Sequence, residues 1–194
     1  MLIGLAFPIS NGMRIIAIDP GYERMGVAII EKDNLNPTSL EISARQNPPS
    51  RLRFGGAKEE LIFSECFKTS VKIPHEERLK LIGKEIESLI KKYKPEVMAI
   101  ETLFFKNNQK TGMKVSEARG VMLYVASASG IIVKEFSPIA IKIAVTGYGM
   151  SDKTQVISMV KRLIKINPDV KSRGDDEFDA IAVGLTYFAT RGSC

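Results

Sequence analysis

A chain of 194 residues with 44% hydrophobic side chains can bury one α/β core, and without an apolar run of about 18 residues it has no membrane-spanning segment. Its two cysteines, Cys66 and Cys194, are too few for a disulfide framework and suit a reducing, cytoplasmic setting. The net charge of +6 is concentrated: between Lys106 and Arg173 stand twelve Lys and Arg against four acids, a balance that fits a polyanionic partner or a solvated lysine-rich surface.

Met1–Gly12 is apolar but has neither a basic start nor a small-residue cleavage site, so it reads as an N-terminal extension ahead of Met13 rather than a signal peptide. Arg14–Ile18 predicts a buried strand ending at Asp19, with Pro20-Gly21 as the turn and Val27–Ile30 as the hairpin partner. Residues 33–58, with Asn, Pro, Ser and a Gly-Gly pair, predict a long loop or insertion. A third strand is expected over Leu61–Val71. Leu79, Ile82, Ile86, Leu89 and Ile90 set a helical stripe over His75–Tyr93, ending before Pro95. Val97–Ile100 gives a fourth strand, ending at Glu101.

A helix is expected from Thr111 to Ser129, with Val115, Ala118, Val121, Met122 and Val125 on one side, and a fifth strand at Ile131–Val133. Helical segments follow near Ile139–Val145, Asp152–Lys165 and Asp176–Ala189. This order predicts an α/β RNase H-like fold, a mixed five-stranded sheet flanked by helices. It occupies a single domain over residues 13–190, with a short tail at 191–194.

Two of these strands end in an acid, Asp19 and Glu101. Strand ends that are neighbours in a sheet converge at its carboxyl edge, where α/β folds place their chemistry. The last helix opens Asp175-Asp176-Glu177-Phe178-Asp179. Asp176 and Asp179 share a helix face, and so do Asp175 and Asp179, so spacing does not choose between the pairs. Asp175 is the expected N-cap. Acids here also suit the positive end of the helix dipole, but glutamate at a strand end forms neither strand nor turn and calls for a partner. Converging oxygen donors without a His or Cys cluster favour Mg2+ or Mn2+. Two such ions about 3.5–4 Å apart can activate water and stabilise a leaving phosphodiester oxygen.

Five segments, Ile18-Asp19-Pro20-Gly21, Ile100-Glu101-Thr102-Leu103-Phe104-Phe105, Glu117-Ala118-Arg119-Gly120, Val145-Thr146-Gly147-Tyr148-Gly149 and Asp176-x-x-Asp179-Ala180-x-Ala182, occur in the order of the RuvC family of Holliday-junction resolvases. The chain resembles that family from Met13 to about Tyr187, apart from residues 33–58. The resemblance implies a nuclease whose catalytic, metal-holding acids are Asp19, Glu101, Asp176 and Asp179, with two ions per active site. It implies DNA contacts by Lys106, Lys142 and Lys153, the latter two near the scissile phosphate, and insertion of Phe104 at the junction centre. It also implies a homodimer, for which helix 111–129 is the expected interface, on a four-way DNA junction. In a bacterium a branch-migration complex would be its partner. Asn107 and Ser116-Glu117 depart from the usual family pattern, and Glu117 adds a negative charge to a DNA-facing helix.

Gly147–Thr154 nearly spells a phosphate-binding loop, but Asp152 stands where a glycine is needed and the segment follows a helix rather than a strand. The alternatives are another RNase H-like nuclease acting on RNA or a hybrid, and an inactive junction-binding module; the four acids argue against the latter. His75, the one histidine, has only Glu76 beside it and reads as a surface residue at a helix start.

Overall fold

The computed structural model describes residues 12–32, 59–103, 109–164 and 174–191. The extension, the 33–58 segment, Phe104 and Lys106 therefore lie outside the described residues, as do 165–173 and the last three residues. Five strands, β1 (Met13–Asp19), β2 (Arg24–Lys32), β3 (Glu59–Lys68), β4 (Val97–Glu101) and β5 (Ile132–Phe136), form one sheet in the order β3-β2-β1-β4-β5. β1 pairs antiparallel with β2 and parallel with β4; β2–β3 is antiparallel and β4–β5 parallel. The sheet is the mixed five-stranded one expected. Its middle strand, β1, is an almost unbroken apolar run because it is covered on both faces.

Strand alternation divides the core. Ile15, Ala17, Ala28, Ile30, Val97 and Ala99 face one side, beneath helices α3 (Pro138–Thr146), α4 (Lys153–Leu163) and α5 (Asp175–Thr190). Ile16, Ile18, Val27, Ile29, Met98 and Ile100 face the other, beneath α1 (His75–Tyr93) and α2 (Gln109–Ala128). No helix among the described residues is long and apolar enough to cross a membrane.

Several element ends differ from the expected ones. β3 stops at Lys68 rather than Val71, because Thr69 donates its N–H to the Glu23 carbonyl at 3.0 Å and the chain then turns into α1. β5 runs on to Phe136, through Lys134 and Glu135, whose polar side chains hid this edge strand from the apolar pattern. Ser137 caps α3, accepting the Ala140 N–H at 3.2 Å with Pro138 in the first turn. Asp152 and Gln155 form a reciprocal capping box at α4, with hydrogen bonds of 2.9 and 3.0 Å.

Candidate active site

Asp19 continues the phase of Ile15 and Ala17, and Glu101 that of Val97 and Ala99, so both carboxylates point to the α5 face of the sheet. Their strands are parallel neighbours with Ile18 opposite Ile100, which sets the two acids side by side at the carboxyl edge. Thr102 holds the end of β4 in place by donating its N–H to the Phe136 carbonyl at 2.8 Å. Arg119, from the Glu-Ala-Arg-Gly segment of α2, donates to the Glu101 carbonyl at 3.3 Å and pairs with Glu135 of β5.

The first turn of α5 reaches this edge because position 26, opposite Asp19 in β2, is glycine. A Cβ there would lie 2.0 Å from the Asp176 carbonyl oxygen, so only glycine lets α5 settle onto the hairpin with Asp176 and Asp179 beside the strand acids. Glu177 reinforces the helix start by accepting the Gly174 N–H at 3.2 Å. Gly174 is the N-cap, not Asp175 as expected. Asp175 is instead the first helical residue, and its largely exposed carboxylate lies 3.6 Å from Lys153.

Electrostatics couple the group. Burial, followed by the charges of Glu101, Asp179 and Asp176, pushes the Asp19 carboxyl up to about 7, with Lys153 opposing. Burial and Asp179 push Glu101 up to about 7 as well, partly offset by Lys142. For Asp176, burial pushes upward but is outweighed by hydrogen bonds from Cys66 and Arg24, so its pKa is lowered. Arg24 lies 2.5 Å from Asp176 Oδ2, and the Cys66 thiol donates to the same oxygen at 3.2 Å. Lys153 Nζ donates to Asp179 Oδ2 at 2.9 Å. Burial lowers the lysine's pKa, but Asp179 and Asp175 outweigh it, and the net shift is upward.

The four expected acids are thus brought together, with Lys142 and Lys153 lining the same cleft as Glu101 and Asp179. The donor set, oxygen only and mutually repelling, fits a hard divalent cation, whose charge would offset the burial and repulsion that raise Asp19 and Glu101. Among the described residues no three acid, imidazole or thiol groups stand ready to hold an ion. Asp176 and Asp179 are instead paired with Arg24 and Lys153, which a bound cation would displace.

Arg24 and Cys66 were not expected at the site. The signal was in the hairpin phase: Arg24 and Gly26 share a face of β2, and Cys66 pairs with Gly26. His75 is also not the partnerless surface residue expected. Its Nε2 lies 2.6 Å from Glu117 and its Nδ1 2.7 Å from the Tyr22 hydroxyl, interactions made by folding between residues far apart in sequence. Glu117, the added negative charge on α2, is thereby paired across to α1.

The sheet order, with acids at the ends of two adjacent parallel strands and two more on the helix laid over them, defines an RNase H-like domain with an acidic centre. Within that class the family is specific. The model of the family "Crossover junction endodeoxyribonuclease RuvC" matches residues 49–187, and the chain belongs to that family. It is 35% identical to the crossover junction endodeoxyribonuclease RuvC of Fusobacterium nucleatum over 93% of this chain and 83% of that one. To the RuvC of Thermosipho melanesiensis it is 39% identical, covering 88% of this chain and 94% of the relative. The structure of Thermus thermophilus RuvC superposes with a TM-score of 0.73 at 26% identity, covering 93% of this chain and 96% of that one. The same protein in complex with a Holliday junction substrate also gives 0.73, at 23% identity and the same coverage.

Proposed function

We propose that this protein is a metal-dependent, structure-selective endonuclease that resolves four-way (Holliday) DNA junctions by paired symmetric nicks in recombination and repair. The family supports the substrate: its relatives are named crossover junction endodeoxyribonucleases, and one neighbour was solved with a Holliday junction. The observation that carries the chemistry is the convergence of Asp19, Glu101, Asp176 and Asp179, with two of them driven up to about 7 beside two lysines.

In this reading Asp19, Glu101, Asp176 and Asp179 would hold two Mg2+ or Mn2+ ions, which would supply the charge needed to activate a water and neutralise the leaving oxygen. The residues of the chain do the rest. Lys142 and Lys153 draw the scissile phosphate into the cleft as point charges. Arg119 fixes the backbone that carries Glu101. Asp19 and Glu101, pushed up to about 7 in the metal-free protein, would take metal in competition with protons, so metal affinity rises with pH through that range.

Phe104 would occupy the opened junction centre, where an aromatic can stack on an unpaired base, and Lys106 would bind backbone phosphate. A homodimer matches the two-fold symmetry of the junction. Met113 and Tyr124, exposed and about three turns apart on one stripe of α2, suit that interface. The working compartment is the cytoplasm, with a branch-migration complex as partner in a bacterium.

Asp19→Asn, Glu101→Gln, Asp176→Asn and Asp179→Asn each test this directly. Every variant should lose cleavage of a labelled junction while keeping its affinity within a few-fold, because one carboxylate neutralises no phosphate. Full activity in any of them removes that residue from the catalytic set. Lys153→Ala should slow cleavage of pre-bound junction more than it weakens binding.

A further inference from the structure

Arg24 is the cation that holds Asp176 in the metal-free protein, and its place in the fold gives it a second use. It stands at the start of β2, two residues before Gly26 and on the same face, so it overhangs the edge where the acids converge. Its guanidinium lies 2.5 Å from Asp176 Oδ2, yet its side chain is 54% exposed. A half-exposed ion pair is weak in water, so Asp176 can be surrendered to a divalent cation, whose like charge turns the guanidinium away. The neighbouring acids of α5 offer no replacement. Glu177 accepts the Gly174 N–H at 3.2 Å and the Ser64 hydroxyl at 2.7 Å, and Asp175 and Asp179 lie against Lys153.

The sheet order decides where the released side chain stands. Lys142 and Lys153 line the cleft on the side of Glu101 and Asp179. In the order β2-β1-β4, Arg24 is on the opposite flank, with Asp19 between it and Glu101. Lys68, exposed and directly opposite Arg24 in β3, adds a second positive charge there. A phosphodiester strand drawn over the acids therefore has cations on both flanks once Arg24 is free.

We propose that Arg24 is a phosphate-binding residue gated by the metal site: it stays on Asp176 until that carboxylate is given to a divalent cation, and is then handed to a backbone phosphate of the DNA strand beside the scissile bond. A guanidinium suits the exchange, because its planar fork matches carboxylate and phosphate oxygens alike. Metal loading and DNA binding are thereby coupled, each favouring the other. This inference rests on the resolvase reading.

The test measures binding of labelled four-way junction by the full chain across a salt series, in chelator and in Ca2+, by fluorescence anisotropy. In chelator Arg24→Gln should bind within about twofold of wild type and with the same salt slope, which also checks its folding. In Ca2+ it should bind about fivefold more weakly, with a slope shallower by about 0.9 for each protomer engaged. Arg24→Lys should keep the wild-type slope in Ca2+, since the charge remains, while losing part of the affinity. Lys68→Gln, which removes a cation that no metal ligand restrains, should weaken binding equally in both conditions. An equal loss for Arg24→Gln with and without Ca2+, or no loss in either, overturns the inference and leaves the resolvase reading intact. The same Ca2+-dependent loss in Lys68→Gln also overturns it, in favour of general charge neutralisation by the metal. Wild-type protein that binds no junction in either condition overturns both.

Discussion

Replacing Asp19 by asparagine should make the metal-free protein more stable while destroying its nuclease activity. The Asp19 carboxyl is pushed from 3.8 to about 7 by burial and by three neighbouring acids. A carboxyl raised in this way binds more protons folded than unfolded, so stability is greatest below the unfolded pKa and is lost as pH rises toward the folded one. At about 1.4 kcal/mol per pKa unit, ionised Asp19 costs the fold about 4 kcal/mol at pH 8. Roughly 2 kcal/mol of this is already present at pH 5, where the unfolded carboxyl is ionised and the folded one is not. For a chain of this size about 4 kcal/mol corresponds to a melting shift of roughly 10 °C.

Thermal melts in a chelator at pH 5 and pH 8 read this out. Wild type should melt lower at pH 8, Asp19→Asn should lose much of that decline, and Mg2+ should restore wild type at pH 8 far more than the variant. A wild-type melting temperature that holds or rises from pH 5 to 8, with Asp19→Asn no more stable at pH 8, would refute the claim that the Asp19 carboxyl is buried among other acids.

Gly26→Ala should destabilise the protein by about 1–3 kcal/mol and abolish cleavage, since the new methyl meets the Asp176 carbonyl at 2.0 Å and must push the start of α5 off the hairpin; melting and nuclease assays on one preparation check both. Arg24→Ala should tighten Mn2+ binding by up to about fivefold in calorimetric titration, because a half-exposed ion pair at Asp176 competes with the metal. Unchanged affinity would mean that Arg24 does not compete. Neutralising both Lys161 and Arg162, on α4, should at most weaken junction binding and flatten the slope of its salt dependence, by about 0.9 for each phosphate no longer neutralised, without altering the rate once bound.

Of the strand acids only Glu101 breaks a local rule, ending an apolar strand where neither strand nor turn propensity wants glutamate. Asp19 suits the turn chemistry ahead of Pro20-Gly21 and was legible as a site residue only alongside Glu101. The helix acids were legible only as a pair of alternatives, since Asp175 and Asp176 both suit a face shared with Asp179. Which residue caps α5 depended on Glu177 folding back to the Gly174 N–H, a competition that spacing does not express. The outer part of β5 was hidden because Lys134 and Glu135 lie at a solvent-exposed edge. Arg24 and Cys66 reach Asp176 from the β2 and β3 strands, and His75 reaches Glu117 from the start of α1. Such pairings between distant segments are made by the fold, and local periodicity carries only their phase, as it did for Arg24 and Gly26.

The most direct test of resolvase function is cleavage of matched substrates by one preparation. Labelled mobile four-way junction, duplex of equal length and an RNA–DNA hybrid are incubated with the protein in Mg2+, Mn2+ or Ca2+. Phosphate attraction alone would bind all three, since backbone contacts carry little information about sequence or shape. Selectivity must therefore come from the branch point, where a dimer can engage two equivalent strands at once. Paired, symmetric nicks near the crossover are predicted in Mg2+ or Mn2+, with little cutting of duplex or hybrid, and binding without cutting in Ca2+, whose looser coordination positions water poorly. Preferential cutting of the hybrid, or junction binding with no metal-dependent cutting of any substrate, would contradict it.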